Sequence, residues 1–185
     1  MMATADLRSE HIGVARMLRI MDAMAREASR GQAPDADDLG QVVEFLRVFV
    51  DTCHHGKEEQ LLFPAVRDAG IASADAVVSE LLADHVRGRE FVSRIADAAA
   101  RLAEGDGSVT ADLAGTLTGY TELLRAHIHH EEADCFDAAD RALTEDVQRA
   151  LEEGYDRIER EVVGGGVHEA FHALLDRLEA SIVTG

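Results

Sequence analysis

Residues 42–64 read VVEFLRVFVDTCHHGKEEQLLFP, and this stretch joins an apolar helix face to a group of histidines and glutamates. The apolar side chains recur every three or four residues, which predicts an amphipathic helix. Because an α-helix turns by roughly 100° per residue, His54 lies roughly 80° from the centre of the apolar face and His55 roughly 180° away. The pattern therefore favours His54 with Glu58 as the inward pair over His55 with Glu59.

The arrangement around His54 is repeated later in the chain. His11 precedes His54-x-x-x-Glu58 in the first half, and His85 precedes His127-x-x-x-Glu131 at nearly the same spacing in the second. Turn-forming residues lie midway between the two histidines of each half, at 31–34 and 104–108. Two helical hairpins are therefore expected to bring the four histidines to one level. Each of them falls on the apolar face of its helix, whereas His129 and His130 point outward.

This convergence predicts a metal site. For any one of these histidines alone, a core position satisfied by a neighbour is the more common explanation. Several polar groups in one dry layer would each cost about 1–3 kcal/mol without such partners, which favours metal ligation for the whole set. The candidate ligands are His11, His54, Glu58, His85, His127 and Glu131.

The size of this donor set favours two metal ions over one. A structural zinc needs only four ligands in a tetrahedron. Six side chains from four helices are better suited to two iron ions in an oxygen-bridged pair, with Glu58 and Glu131 as bridges and two histidines on each iron. A manganese pair or a mixed pair is the alternative.

The composition predicts an all-α protein. Of 185 residues, 46% are hydrophobic and only 2 are proline, which favours one helical domain with a developed core. We expect an up-down-up-down antiparallel four-helix bundle with helices over about 5–30, 36–63, 74–104 and 109–141, the second ending at Pro64. The bundle would occupy residues 1–141. Residues 142–185 would form two additional short C-terminal helices, about 145–163 and 167–182, packed on the bundle or on a partner.

Charge and hydropathy narrow the partners and the compartment. The net charge of −18 argues against nucleic acid or an anionic membrane surface as a partner. No stretch reaches the roughly 20 apolar residues that span a bilayer, and the first residues lack the apolar core of a signal peptide. We therefore expect a cytoplasmic protein in which Cys53 and Cys135 are buried free thiols. The sequence is compatible with a homo-oligomer.

Residues 168–172, HEAFH, match the H-E-x-x-H motif of zinc proteases, in which two histidines one turn apart bind zinc and the glutamate is the general base. No third histidine follows, and so short a motif occurs readily by accident. The same residues fit an amphipathic helix with Phe171 and Leu175 on its apolar side. That helix is favoured over a zinc protease acting through His168-Glu169-x-x-His172.

With these residues in place, the chain resembles the hemerythrin-like (HHE cation-binding) domains over about residues 5–141. The resemblance is most specific at His54-His55-Gly56-Lys57-Glu58-Glu59-Gln60-Leu61-Leu62-Phe63-Pro64, and His11, His85 and His127-x-x-x-Glu131 follow the family's order. It implies an up-down-up-down bundle around a non-haem di-iron centre. The family's activities include reversible dioxygen binding, oxygen or iron sensing, nitric oxide or peroxide chemistry, and repair of iron–sulfur clusters.

Differences between this sequence and the family's subtypes narrow the choice among these activities. Oxygen-carrying hemerythrins have a fifth histidine one turn further along the third helix, where this chain has Arg89. Four histidines leave each iron a free position unless His168 or Glu161 fills one, which favours reactivity over carriage alone. The repair proteins usually carry a cysteine-bearing segment before the bundle, and we do not expect one here.

The sequence thus predicts a non-haem di-iron protein that binds dioxygen, another small diatomic ligand or peroxide for sensing, storage or detoxification. The alternative is a di-iron redox enzyme that turns over peroxide, nitric oxide or dioxygen; iron handling and cluster repair are less favoured. Gly88, nearly one turn past His85, costs about 1 kcal/mol relative to alanine within a helix. It either opens room for a small ligand or allows close helix packing.

Overall fold

The computed structural model describes residues 2–71, 73–164 and 166–183. These residues form six helices and no strand, which confirms the all-α prediction. The helices are α1 (Thr4–Ser29), α2 (36–68), α3 (Ala74–Ala103), α4 (110–142), α5 (145–163) and α6 (167–183). None of the helices within these residues is both long and apolar enough to cross a bilayer.

The helices begin and end where local chemistry favours it. The Asp35 carboxylate caps the start of α2 by accepting hydrogen bonds from the backbone N–H groups of Asp37 and Asp38, each at 3.0 Å. Gly31 and Gly105 follow α1 and α3 with φ angles of 80° and 85°, a left-handed conformation that glycine adopts without steric cost. The two hairpin turns therefore lie where the sequence predicts them.

Helices α1 to α4 form the antiparallel bundle, and its interior has two apolar clusters. The larger cluster includes Met21, Ile95 and Leu117 and fills the end of the bundle near the two hairpin turns. The smaller cluster includes Leu7 and Phe136 and fills the opposite end. A layer of buried histidine and glutamate side chains lies between them. This layer needs polar partners of its own, because buried polar groups are costly when unpaired.

Helix α2 contains two segments with wider turns, Leu46–His55 and Glu58–Leu62, in which backbone hydrogen bonds reach five residues back. Gly56, for example, donates its backbone N–H to the carbonyl oxygen of Asp51. Such π-type turns are rare and occur often at functional sites. In α4 a similar segment, Glu131–Phe136, begins at one of the predicted ligands.

The prediction that Pro64 ends the second helix is wrong. An α-helical segment, Phe63–Asp68, follows the second wide segment and has proline in its first turn. Proline is tolerated at the first turn of a helical segment, where its missing N–H costs no hydrogen bond. Helix α2 therefore continues for one more turn and ends before Gly70, which has a φ angle of 69°.

The C-terminal helices pack on the side of the bundle between α1 and α2. Phe171 and Leu175 of α6 are buried in the larger apolar cluster, and Tyr155 of α5 is buried in the smaller one. Arg16 of α1 also donates to the Glu179 carboxylate of α6 at 2.6 Å. These contacts make α5 and α6 part of one packed structure with the bundle.

Candidate metal centre

The buried polar layer contains two groups of metal-ligating atoms. His11, His54, Glu58 and Glu131 form one, here called the His11 group. His55, Glu58, His85 and His127 form the other, called the His85 group. Within each group the ligand atoms all lie within 4.8 Å of one another, and every member is buried. The structure thus brings together all six residues that the sequence predicts as ligands, and it adds His55.

Glu58 is shared by the two groups. Its Oε1 atom lies 3.0 Å from Nε2 of His54, and its Oε2 atom lies 3.4 Å from Nε2 of His85. Despite these distances, neither oxygen has a hydrogen-bond donor with suitable geometry among the described residues. A carboxylate with one oxygen toward each group and no donor is placed as a bridging ligand would be.

Glu131 occupies the matching place on α4. Its Oε2 atom lies 3.4 Å from Nε2 of His11 and 3.7 Å from Nε2 of His127, so it also faces a histidine of each group. Its side chain is completely buried, and in the described structure no donor reaches its oxygens. The two carboxylates therefore hold unsatisfied oxygens that a cation would satisfy.

The histidines face one another in two pairs. Nε2 of His11 lies 3.0 Å from Nε2 of His54, and Nε2 of His85 lies 3.2 Å from Nε2 of His127. Three of these rings place Nδ1 2.8 Å from a carboxylate oxygen, and we call these partners the outer carboxylates. The three pairs are His11 with Glu132, His54 with Glu10, and His85 with Glu59.

The outer carboxylates decide which ring nitrogen faces the interior. A carboxylate at Nδ1 accepts the Nδ1–H, which leaves the lone pair of Nε2 directed inward. Metal-binding histidines commonly have this partner on the nitrogen away from the metal, because it fixes the ring and raises its basicity. The sequence analysis did not identify these acidic residues, although each is the direct neighbour of a predicted ligand in the sequence.

The prediction that His55 points outward is wrong. His55 is buried, with 4% of its surface exposed, and its ring lies parallel to that of His85 with centroids 3.8 Å apart. The wide-turned segment Leu46–His55 explains this, because it advances by only about 80° per residue rather than 100°. From Leu46 to His55 the difference accumulates to almost half a turn, which moves His55 from the outer face to the inner one.

The pKa values of the two central carboxylates, Glu58 and Glu131, shift in opposite directions. Burial would raise the pKa of Glu58, but the adjacent imidazoles of His54 and His85 lower it well below its ordinary value. Burial and the negative charge of Glu58 raise the pKa of Glu131 well above its ordinary value. Two buried carboxylates this close cannot both carry a full charge without a cation near them.

Within each pair of facing histidines, the pKa values also shift in opposite directions. Burial would lower the pKa of His54, but Glu58 and Glu10 raise it well above its ordinary value. Its neighbour His11 has its pKa lowered to about 4 by burial and by the charge on His54. In the other pair, burial lowers the pKa of His127, whereas carboxylates raise that of His85 against the effect of burial. In each pair one histidine therefore favours the charged form and the other the neutral form.

Lys57, the chain's single lysine, links the centre to α5. Its ammonium is fully buried and donates to the Glu10 carboxylate and to Glu159, each at 2.5 Å. The other oxygen of Glu10 accepts from His54. A continuous polar chain therefore runs from Glu159 on α5 through Lys57 and Glu10 to His54.

The tail histidine His168 lies apart from the two metal-ligand groups. Its Nε2 atom is 3.9 Å from the sulfur of Cys53, in a cluster with Glu10 and Glu159, and both of these carboxylates accept from the Lys57 ammonium. His172 is exposed, and no cluster of ligand atoms among the described residues contains both tail histidines. Glu161 is exposed as well. The fifth histidine in the two groups is therefore His55, and none of the described tail residues belongs to either group.

Both cysteines are free and buried, as the sequence predicts. Burial raises the pKa of the Cys53 thiol to about 12 and also raises that of Cys135. Thiolates are the reactive form of cysteine. Neither side chain is therefore prepared for nucleophilic chemistry.

Residues 2–139 match the family model of the hemerythrin HHE cation-binding domain. Uncharacterized proteins of Mycobacterium bovis and Mycobacterium tuberculosis are 28% identical to the chain over 136 residues. The match covers 74% of this chain and 52% of each relative, so the chain spans about half the length of the curated relatives it matches. No solved structure gives a significant match. Because the family model covers most of its residues, the chain belongs to the hemerythrin HHE cation-binding domain family.

Proposed function

We propose that the two groups bind a pair of iron ions, and that this pair binds dioxygen, another small diatomic molecule or peroxide for sensing, storage or detoxification. The observation that carries the proposal is the set of inward-facing imidazole nitrogens fixed by outer carboxylates. In each facing pair two Nε2 atoms lie about 3 Å apart. Two lone pairs at this distance repel unless a proton or a metal ion lies between them.

A metal pair would satisfy the oxygens of Glu58 and Glu131, which have no partner among the described residues. Protonation can place one charge on each histidine pair, but it gives the oxygens of Glu58 and Glu131 no donor. Two divalent cations would meet the facing nitrogens and the four carboxylate oxygens together. The donor set therefore fits metal ions better than it fits protons alone.

The division of the residues between the two ions follows from the two groups. His11 and His54 would hold one ion, and His55, His85 and His127 the other. Glu58 and Glu131 would bridge them. The ion with two histidines has fewer protein ligands, so a small molecule would bind on that side. This differs from the expectation from four histidines, in which both ions keep a free position.

The chemistry of the donors favours iron. Five imidazoles and two carboxylates exceed the four ligands of a structural zinc, and nitrogen with carboxylate oxygen is the donor set of non-haem iron. An iron pair supplies binding or reduction of dioxygen and peroxide. The chain's own residues supply the frame: the outer carboxylates orient the rings, and the two apolar clusters exclude water.

The test is the metal content and the optical spectrum of protein purified with iron, before and after reduction and exposure to air or peroxide. We expect two irons per chain and near-ultraviolet absorption that bleaches on reduction and returns in air. His54→Ala should lose both irons, whereas His129→Ala, an exposed neighbour of the site, should keep them. Sustained peroxide or nitric oxide consumption would identify a redox enzyme instead. One zinc per chain that persists in His54→Ala would contradict the proposal.

A further inference from the structure

A cleft between α2 and α3 reaches the metal centre from the side. Its volume is about 270 Å³, several times the roughly 30 Å³ that a water molecule occupies in the liquid. His55, a member of the His85 group, lines its inner wall, and Leu46, Val50 and Val92 supply buried apolar surface. The cleft is therefore larger than a diatomic molecule requires, and its walls suit an apolar body.

Gly88 keeps this cleft open. A Cβ atom added at Gly88 would meet only the ring of Tyr120, at 3.9 Å, which is ordinary van der Waals contact. At Gly119 and Gly154, by contrast, the same atom would come within 2.8 Å of Phe91 and 2.7 Å of Leu61. Close helix packing thus accounts for those two glycines and does not account for Gly88. Glycine within a helix costs about 1 kcal/mol relative to alanine. At Gly88 the absence of a side chain leaves the cleft open, and this explains a glycine at that position.

The polar groups of the cleft favour an anion. Two arginines and one aspartate line it, and Arg89 donates to Asp51 and to Glu59, each at 2.7 Å, so two carboxylates already occupy its guanidinium. Arg47 lines the exposed rim, and among the described residues no carboxylate pairs with it. The guanidinium of Arg47 is therefore the group of the cleft that can pair with an anion.

Tyr120 adds a large ring to the lining of the cleft. Its side chain is 2% exposed, and its hydroxyl is not one of the fully buried polar groups that lack a partner among the described residues. The ring therefore adds to the apolar wall, and the charge that would pair with an anion comes from Arg47.

We infer that the cleft between α2 and α3 binds a small organic anion, a carboxylate on an apolar body, in contact with His55. The apolar body packs against Leu46, Val50 and Val92, and the carboxylate pairs with Arg47. The occupant shares His55 with the proposed iron pair, so its binding is coupled to the centre. Such a molecule is a second ligand of the protein, distinct from the diatomic or peroxide ligand proposed above.

The experiment titrates the iron-loaded chain with benzoate and measures binding by calorimetry, with the iron content of each sample determined in parallel. Acetate has the carboxylate without the apolar body, and benzyl alcohol has the ring without the charge. We expect benzoate to bind at least tenfold more tightly than either. Equal affinities for acetate and benzoate would mean that the carboxylate binds only at the metal ions, which would overturn the inference.

Two variants locate the binding in the cleft. Gly88→Leu fills it and should weaken benzoate binding at least tenfold, whereas Gly40→Leu, an exposed helix glycine with open space around it, should not. Arg47→Gln should weaken benzoate binding but not benzyl alcohol binding. Arg30→Gln, at an exposed arginine that directly follows α1, should change neither. Arg47 is on the surface, so its variant remains folded if Gly88→Leu does not.

The outcomes separate this inference from the proposed function. Benzoate binding that depends on Gly88 and Arg47 in a sample without iron would keep the cleft site and reject the metal centre. Two irons per chain with unchanged benzoate affinity in both variants would reject the cleft site and keep the centre. The two results are read from different measurements on the same sample.

Discussion

The ring of His55 lies on the ring of His85, with a centroid separation of 3.8 Å and an angle of 15° between the planes. His55 comes from a wide-turned segment of α2 and His85 from the middle of α3, so the contact joins two helices at the level of the centre. Both ring nitrogens of His55 lack a hydrogen-bond partner among the described residues. These contacts support our proposal that His55 is a fifth histidine ligand, which the sequence did not predict.

Replacing His55 should weaken metal binding in one group only. His55→Phe keeps the stacked ring and removes both nitrogens, so we expect the His85 group to bind iron at least tenfold more weakly, while the His11 group keeps its own ligands. Iron content after dialysis against a chelator measures the loss. The matched control is His129→Phe on the exposed side of α4. Two firmly held irons in His55→Phe would remove His55 from the ligand set.

Replacing an outer carboxylate should act through its histidine. Glu132 accepts from Nδ1 of His11 at 2.8 Å, so Glu132→Gln should lower iron affinity by about tenfold, toward the lower end of the effect known for such partners. The loss should be measured by competition with a chelator. Glu122→Gln, a more exposed change on the same helix, is the control. Equal affinities of the two variants would show that the Glu132 contact does not position the ring.

Removing the buried ammonium of Lys57 should destabilise the fold. Lys57→Met leaves the buried Glu10 carboxylate with His54 as its remaining partner, and breaking a buried ion pair in this way costs about 3–5 kcal/mol. Urea unfolding measures the loss. Glu159→Gln should cost about 1 kcal/mol or less, because Glu159 is partly exposed and Lys57 keeps Glu10 as its partner. If Lys57→Met and Glu159→Gln cost the same, the pair with Glu10 is not the main stabilising contact.

Two glycine-to-alanine changes should have opposite effects on the free energy of unfolding. Gly88→Ala places its Cβ in the cleft with no close contact, so the helix propensity of alanine should raise the free energy of unfolding by up to about 1 kcal/mol. Gly119→Ala directs its Cβ at Phe91, only 2.8 Å away, and should bring no gain or a loss. Thermal or urea unfolding of the two variants makes the comparison. A loss for Gly88→Ala would mean that the glycine is needed for packing after all.

The two thiols should be unreactive in the folded protein. Burial raises the pKa of Cys53 to about 12, so at pH 8 almost none of it is thiolate, and Cys135 is buried in the same way. We expect no reaction with a disulfide reagent under native conditions and two reactive thiols per chain in denaturant. Cys53→Ala identifies the residue if one thiol reacts. Rapid native labelling of Cys53 would show that α6 opens away from α2.

Much of the fold could be read from the sequence, because it depends on local signals. The apolar period, the glycines at the turns and the acidic helix caps placed each helix boundary within a few residues, except at Pro64. The repeated spacing of His11 with His54 and of His85 with His127 also predicted one level in the bundle, because helix rise converts chain distance into height. The structure places these side chains together at that level.

The parts that the sequence did not reveal depend on contacts between distant residues. The outer carboxylates Glu10, Glu59 and Glu132 look like ordinary solvated acids in the sequence, and only the packing of α1, α2, α3 and α4 places each beside a histidine of another helix. The same holds for Lys57, whose two partners come from α1 and α5. The charge of a residue does not show which distant residue it will contact in the folded protein.

The amino-acid sequence by itself determined an all-α bundle with a layer of histidines and glutamates, because the helical period and the turn residues act within a few positions of the chain. The tertiary structure alone decided that His55 belongs to this layer. The reason is rotation: the wide-turned segment Leu46–His55 turns less per residue than an α-helix. Contacts with the other helices maintain the wide turns of that segment, and its own amino-acid sequence does not predict them.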